Sequence, residues 1–104
     1  MPKSKPMSPE AFLHKSERVA QAADVLKAMA SDTRLKILCA LNETEMSVTQ
    51  LAELTNQSSS AVSQHLSRLR AAGLVASRRD AQTIYYRCSG VGSALVNTLC
   101  DFYR

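Results

Sequence analysis

The stretch Leu54–Leu69, LTNQSSSAVSQHLSRL, decides how this chain is read. It describes a turn followed by a helix with two unlike faces. Ser58 is a natural N-cap, because its hydroxyl can accept from an amide that the first turn leaves unpaired. Val62, Leu66 and Leu69 then fall at i, i+4 and i+7, a narrow apolar seam for a core. Ser60, Ser63, Gln64 and Ser67 repeat that spacing on the opposite side. Solvated helix faces more often carry paired Glu and Lys. Short hydroxyl and amide side chains instead allow close approach to base edges in a major groove, where they can donate and accept hydrogen bonds. Arg68 and Arg70 follow on the same helix. A serine-rich surface helix shares these residues, so the surrounding chain has to decide.

The charge distribution favours the groove. The 104-residue chain carries a formal charge of +4. Between Leu54 and Cys88 stand Arg68, Arg70, Arg78, Arg79 and Arg87 against Asp80 alone, a balance equal to the whole excess. A cationic surface confined to one helix and the segment after it points to a polyanion. All five cations are arginines, whose forked donors suit phosphate and guanine better than a lysine does.

The length fits one domain with a modest core. Met1–Met7, with Pro2, Pro6 and two lysines, reads as a loose tail, and residues 8–104 as the domain. Ser8-Pro9-Glu10 starts a helix expected to run to about Ala30, with Phe12, Val19 and Leu26 at seven-residue intervals and Ala22, Ala23, Met29 and Ala30 beside them. Ser31–Leu41 is a second helix with Leu35, Leu38 and Leu41 as its seam; Ile37 and Cys39 make it apolar nearly all round, which predicts burial. Asn42–Met46 reads as a polar turn. Ser47 and Gln50 have capping-box spacing, and Val48, Leu51, Ala52 and Thr55 give the next helix an inner face. Two short helices in this order make a helix-turn-helix.

Gly73 is placed to end the readable helix in a left-handed conformation. Leu74–Arg79 and Thr83–Cys88 read as strands joined by Asp80-Ala81-Gln82, with Ile84, Tyr86 and Cys88 alternating with Tyr85 and Arg87. Such a hairpin is a wing, and Arg78, Arg79 and Gln82 at its tip can reach phosphates or a minor groove. After a linker at 89–92, a last helix from about Ser93 to Tyr103 is apolar on two sides: Leu95 with Phe102, and Val96 with Cys100 and Tyr103. It has more to bury than one small domain covers, so it and the first helix are expected to form a dimer interface. The fold class is therefore mainly α with a β-hairpin wing: a winged helix-turn-helix, homodimeric through its first and last helices.

SDTRLKILCAL, MSVTQLAELTNQSSSAVSQHLSRLRAAGLV and SRRDAQTIYY, in this order, resemble the ArsR/SmtB family of winged helix-turn-helix repressors. With no apolar run of membrane-span length, no apolar signal core behind the first lysines and three cysteines without paired spacing, the cytoplasm is the expected compartment. The resemblance implies a homodimer whose two recognition helices enter successive major grooves of an imperfect inverted repeat in double-stranded DNA. Half-sites would lie about 34 Å apart. It carries Ser58, Ser60, Ser63, Gln64 and His65 over as groove or phosphate contacts. Ser59 stands where many members have a glutamine able to pair with adenine, so operator preference does not transfer. His65 lies nearer the apolar seam than the outer face, and a packed boundary histidine is an equal reading.

Neither of two family metal sites has its ligands. Met46-Ser47-Val48 replaces one set of cysteines, and no histidine follows position 65 for the other. No cofactor or metal is expected, although a sulfur-only arsenite site shared between subunits stays open. Cys39 matches the second-helix cysteine of a persulfide- and oxidant-responsive subgroup. The partner cysteine of that subgroup falls at Arg104 here, with Cys100 one turn earlier on the same face. One turn is about 5.4 Å, so a Cys39–Cys100 switch requires different packing or a longer sulfur bridge. The alternative is a regulator without a thiol switch, as RRDAQTIYY also suggests by its resemblance to a rhizobial-type member. Cys88 reads as a small core filler. An enzyme is not expected: Cys39 with His65 is the only conceivable nucleophile–base pair, and no oxyanion loop, phosphate cradle or paired carboxylates accompany them.

Overall fold

The computed structural model describes residues 8–13 and 16–104. The tail at 1–7 lies outside them, as do the side chains of residues 12–15. Helix α1 (Pro9–Leu13) is capped by Ser8, whose hydroxyl accepts from the Ala11 amide at 3.2 Å. Helix α2 covers Ser16–Met29. The single long helix expected from Ser8 to Ala30 is thus described as two segments, with 14–15 outside the description. Helix α3 runs from Asp32 to Glu43, two residues beyond its expected end, behind the N-cap Ser31.

Strand β1 (Met46–Ser47) was not foreseen. It replaces the end of the expected polar turn because Met46 and Ser47 pair with Tyr86 and Tyr85 of the wing. Helix α4 (Val48–Thr55) has the full capping box: Ser47 Oγ accepts from the Gln50 amide, and Gln50 Oε1 accepts from the Ser47 amide at 2.9 Å. Asn56 closes α4 in the left-handed region at φ 54°.

Helix α5 (Ser59–Ala71) begins where Ser58 caps it, its hydroxyl accepting from the Ala61 amide at 3.0 Å. Gly73 ends it at φ 75°. The Leu74 amide donates to the Leu69 carbonyl and the Gly73 amide to the Arg70 carbonyl, both at 3.0 Å, the paired bonds of a Schellman end. Leu69 and Leu74 are both fully buried beneath that turn.

Strands β2 (Val75–Asp80) and β3 (Thr83–Cys88) form the wing, and the sheet order is β1-β3-β2, all antiparallel. Asp80 pairs with Thr83, so the turn is Ala81-Gln82 alone, one residue shorter than expected. Ala81 carries it at φ 56°, where glycine is the usual occupant. Helix α6 spans Val91–Phe102, so the expected linker shrinks to Ser89-Gly90. Gly92 lies so close to the Leu74 backbone that a Cβ there would overlap its carbonyl.

One core joins every element from α2 onward. Ile37, Leu38, Leu51, Val62, Leu66, Leu69 and Leu74 are fully buried, with Ala28, Met29, Leu41, Val75 and Val96 around them. The second helix differs from expectation: Ile37 takes the core position, Leu35 is half-buried and Cys39 is exposed. Cys39 borders an apolar hollow of about 510 Å³ with Leu35, Ala40 and Leu54. In β3, Tyr86 and Cys88 pack on the core, but Ile84 extends past it and is exposed. Among the described residues no helix is long and apolar enough to cross a membrane.

Candidate nucleic-acid interface

The core fixes which way α5 faces. Burying Val62, Leu66 and Leu69 contributes about 1.5–3 kcal/mol each, and all three are completely covered. The opposite face is thereby turned outward, and Ser59, Ser60, Ser63, Gln64, Ser67, Arg68 and Arg70 are all exposed. Ser58 is exposed too, with its hydroxyl engaged as the cap. The seam and the polar face fall as the spacing predicts.

The wing lies beside this face. Ser63 of α5 and Gln82 of the hairpin turn line one hollow of about 390 Å³, together with Ser47, Thr49 and Thr83. Helix and wing therefore border one hollow, where these polar side chains stand with Val48, Ile84 and Tyr86. Thr49, at the start of α4, belongs to that hollow and was not singled out in the sequence. Its membership depends on the pairing of β1 with β3, which has no local signal.

The wing arginines are unequal. Arg79 is exposed near the tip. Arg78 is gripped by Glu45: its Nε lies 2.9 Å from both carboxylate oxygens and a terminal nitrogen 2.8 Å from Oε1. Its guanidinium also sits over the Tyr85 ring, 5.0 Å from the centroid. The Arg78 hydrogen bond holds the Glu45 carboxyl below its usual range. Arg78 stays half-exposed, and Glu45, before β1, is a partner that the sequence does not announce.

His65 is half-buried, and Arg34 lies 3.3 Å from its Nδ1. Burial, and then the Arg34 charge, lower its pKa below the usual histidine value. Of the two readings left open for it, a packed boundary residue matches this placement.

A second cluster lies at α3, β3 and α6. The Cys39 thiol is pushed up by partial burial first and then by the nearby Cys100 of α6. Arg104 pairs with Asp101 at 3.1 Å. Cys88 is half-buried, its thiol donates to the Leu38 carbonyl at 3.1 Å, and burial raises its pKa to about 11. Among the described residues no three His, Cys, Asp or Glu side chains form a group able to hold a metal ion.

Large apolar side chains stand exposed on α2 and, more densely, on and just after α6. Leu26, Val91, Leu99, Phe102 and Tyr103 are all exposed, the last two at 78%. Ala22, Val25, Leu26, Val91 and Leu95 line an entirely apolar hollow of about 220 Å³ between the two helices.

Comparison with known proteins agrees with this architecture. The model for "Bacterial regulatory protein, arsR family" matches residues 31–77. Nodulation protein NolR of Rhizobium meliloti is 48% identical over 99 residues, covering 94% of this chain and 78% of that protein. Reduced HlyU from Vibrio cholerae superposes with a TM-score of 0.79 at 42% identity, covering 86% of this chain and 96% of that one. A homodimeric winged helix-turn-helix DNA-binding domain from Mycobacterium bovis gives 0.77 at 31% identity, covering 96% and 89%. With its helix-turn-helix, three-stranded wing and polar recognition face, the chain belongs to the ArsR family and is a DNA-binding regulator of transcription.

Proposed function

We propose that the chain is a homodimeric repressor that reads an inverted repeat with α5 and grips the flanking backbone with the wing. The observation that carries this reading is the outward face of α5: hydroxyls and one amide over a fully buried seam, bordering one hollow with Gln82. Gln64, Ser60 and Ser63 read base edges; Ser58, Ser59, Arg68, Arg70 and Arg79 hold phosphates. The apolar faces of α2 and α6 pair with their copies and set the half-site spacing. The homodimeric relative from Mycobacterium bovis supports that assembly. Selection from random duplexes, followed by affinity against salt, tests it. Arg79→Ala should weaken binding to all duplexes and reduce the salt slope by about 1. Arg78→Ala should change the slope less, because Glu45 already neutralises it. Equal slopes for wild type and Arg79→Ala would remove the wing from the interface.

The proximity of Cys39 and Cys100 favours a thiol-responsive form of this reading over a switchless one. An oxidant takes two electrons and two protons from the pair to close a disulfide. With a persulfide donor RSSH, one donor passes its outer sulfur to one thiol and leaves as RSH. A second donor accepts the two electrons, leaving as RSH and hydrogen sulfide, as the second thiol closes a trisulfide bridge. The bridge would tie the end of α6 to α3 and so act on the dimer face. Because the Cys39 pKa is raised, its thiol is mostly protonated at neutral pH, and its rate of modification should climb with pH. Intact mass after a persulfide donor should show one bridge that is lost in both Cys39→Ser and Cys100→Ser. Separate adducts on single thiols would favour the switchless reading.

A further inference from the structure

Arg34, in the first turn of α3, joins three helices through one guanidinium. Its Nε donates to the Ala28 carbonyl, and a terminal nitrogen lies 3.5 Å from the Lys27 carbonyl. Both acceptors stand at the C-terminal end of α2, where the negative helix pole favours a cation. The other terminal nitrogen lies 3.3 Å from His65 Nδ1 on α5. A guanidinium has donors only, so Nδ1 accepts and the ring proton is on Nε2. The base of the Arg34 side chain is fixed as well, since its amide donates to the capping hydroxyl of Ser31 at 3.2 Å.

Beneath α5 the contacts are of a different kind. Val62, Leu66 and Leu69 hold the helix to the core through apolar burial, which is strong but not directional. The bond to Arg34 is directional, and it reaches α5 at the residue next to Gln64. Long arginines follow a small displacement of the helix and keep their phosphates. A glutamine or serine meeting a base edge tolerates only about half an ångström.

We infer that Arg34 and His65 are positioning residues of the recognition helix. They fix its rotation against the end of α2 so that Gln64 and Ser63 meet the base edges, and His65 acts through Arg34 rather than by reading a base. The inference rests on the DNA-reading role of α5 proposed above. It also makes the contact sensitive to proton uptake. His65 faces Arg34 of α3, and Arg68 of its own helix stands near Arg34; Asp24 and Lys27 of α2 line the adjoining hollow with Arg68. Among the described residues neither Arg34 nor Arg68 forms an ion pair with a carboxylate. Protonation of His65 removes the acceptor and adds a cation to this cluster.

The test measures affinity of the full chain for a selected duplex and a scrambled one. R34Q and H65A should each lower the ratio of the two affinities about tenfold, and the double variant no further. Affinity for the scrambled duplex should change less than about twofold. H65Q, which keeps an acceptor, should lose less than H65A. Long-range proton–nitrogen spectra should place the wild-type His65 proton on Nε2, with titration below 6.5 that moves back toward 6.5 in R34Q. If R34Q fails to fold, R34K replaces it, since one ammonium cannot serve all three acceptors. An unchanged ratio, fully additive losses, or a titration indifferent to Arg34 would overturn the inference. A wild type that prefers no duplex would overturn the DNA reading itself, and this inference with it; the titration, measured without DNA, tells the two failures apart.

Discussion

Helices α5 and α6 are of similar length and each lays one side on the same core, yet their outward sides are opposites. In α5, Val62, Leu66 and Leu69 are fully covered and the exposed side is hydroxyl, amide and guanidinium. In α6, Val96 is the one large side chain fully covered, and Leu99, Phe102 and Tyr103 stand exposed. A polar side with arginines is suited to a wet, anionic groove; an apolar side loses free energy in water until another apolar surface covers it. The core decides which side faces out. The chemistry of that side decides what it meets.

The largest expected effect attacks what the helices share. Leu66→Ala should destabilise the fold by about 2–5 kcal/mol, read by chemical denaturation, because it opens a cavity at a fully buried site. Leu99→Ser with Phe102→Ser should leave denaturation midpoints of the monomer nearly unchanged while raising the dimer dissociation constant at least tenfold by ultracentrifugation, roughly the cost of losing one interface anchor. Ala81→Gly at the wing tip should stabilise by about 1 kcal/mol, since glycine has no Cβ to clash at φ 56°. The pH dependence of His65 is smaller still. Its folded pKa is depressed, so its contribution to stability is present above the unfolded value and lost as pH falls through the folded one. Midpoints should therefore drop below about pH 6.5 in wild type and drop less in His65→Gln.

The same contrast explains what could be read in advance. The recognition helix was legible because its signals are local: the Ser58 cap, the apolar spacing and Gly73 lie within sixteen positions of one another. Strand β1 was not, since two residues become a strand only by pairing with Tyr85 and Tyr86 some forty positions away. Arg34 with His65 and Glu45 with Arg78 are likewise contacts between distant positions, with no spacing to announce them. Cys39 misled for another reason. A helix apolar nearly all round predicts burial, but this side of α3 borders an open hollow shared with Leu54. The turn at Ala81 escaped because it lacks the glycine or asparagine that usually marks a positive φ.

The measurement closest to the central claim compares wild type and Gln64→Ala on the selected and scrambled duplexes across a range of salt. Wild type should prefer the selected duplex by about a thousandfold or more. Gln64→Ala should lose about 1–3 kcal/mol of that preference and keep the wild-type salt slope, because it removes a base reader and no phosphate contact. Equal losses on both duplexes, or a preference untouched by the substitution, would contradict the reading of α5 as the helix that reads sequence.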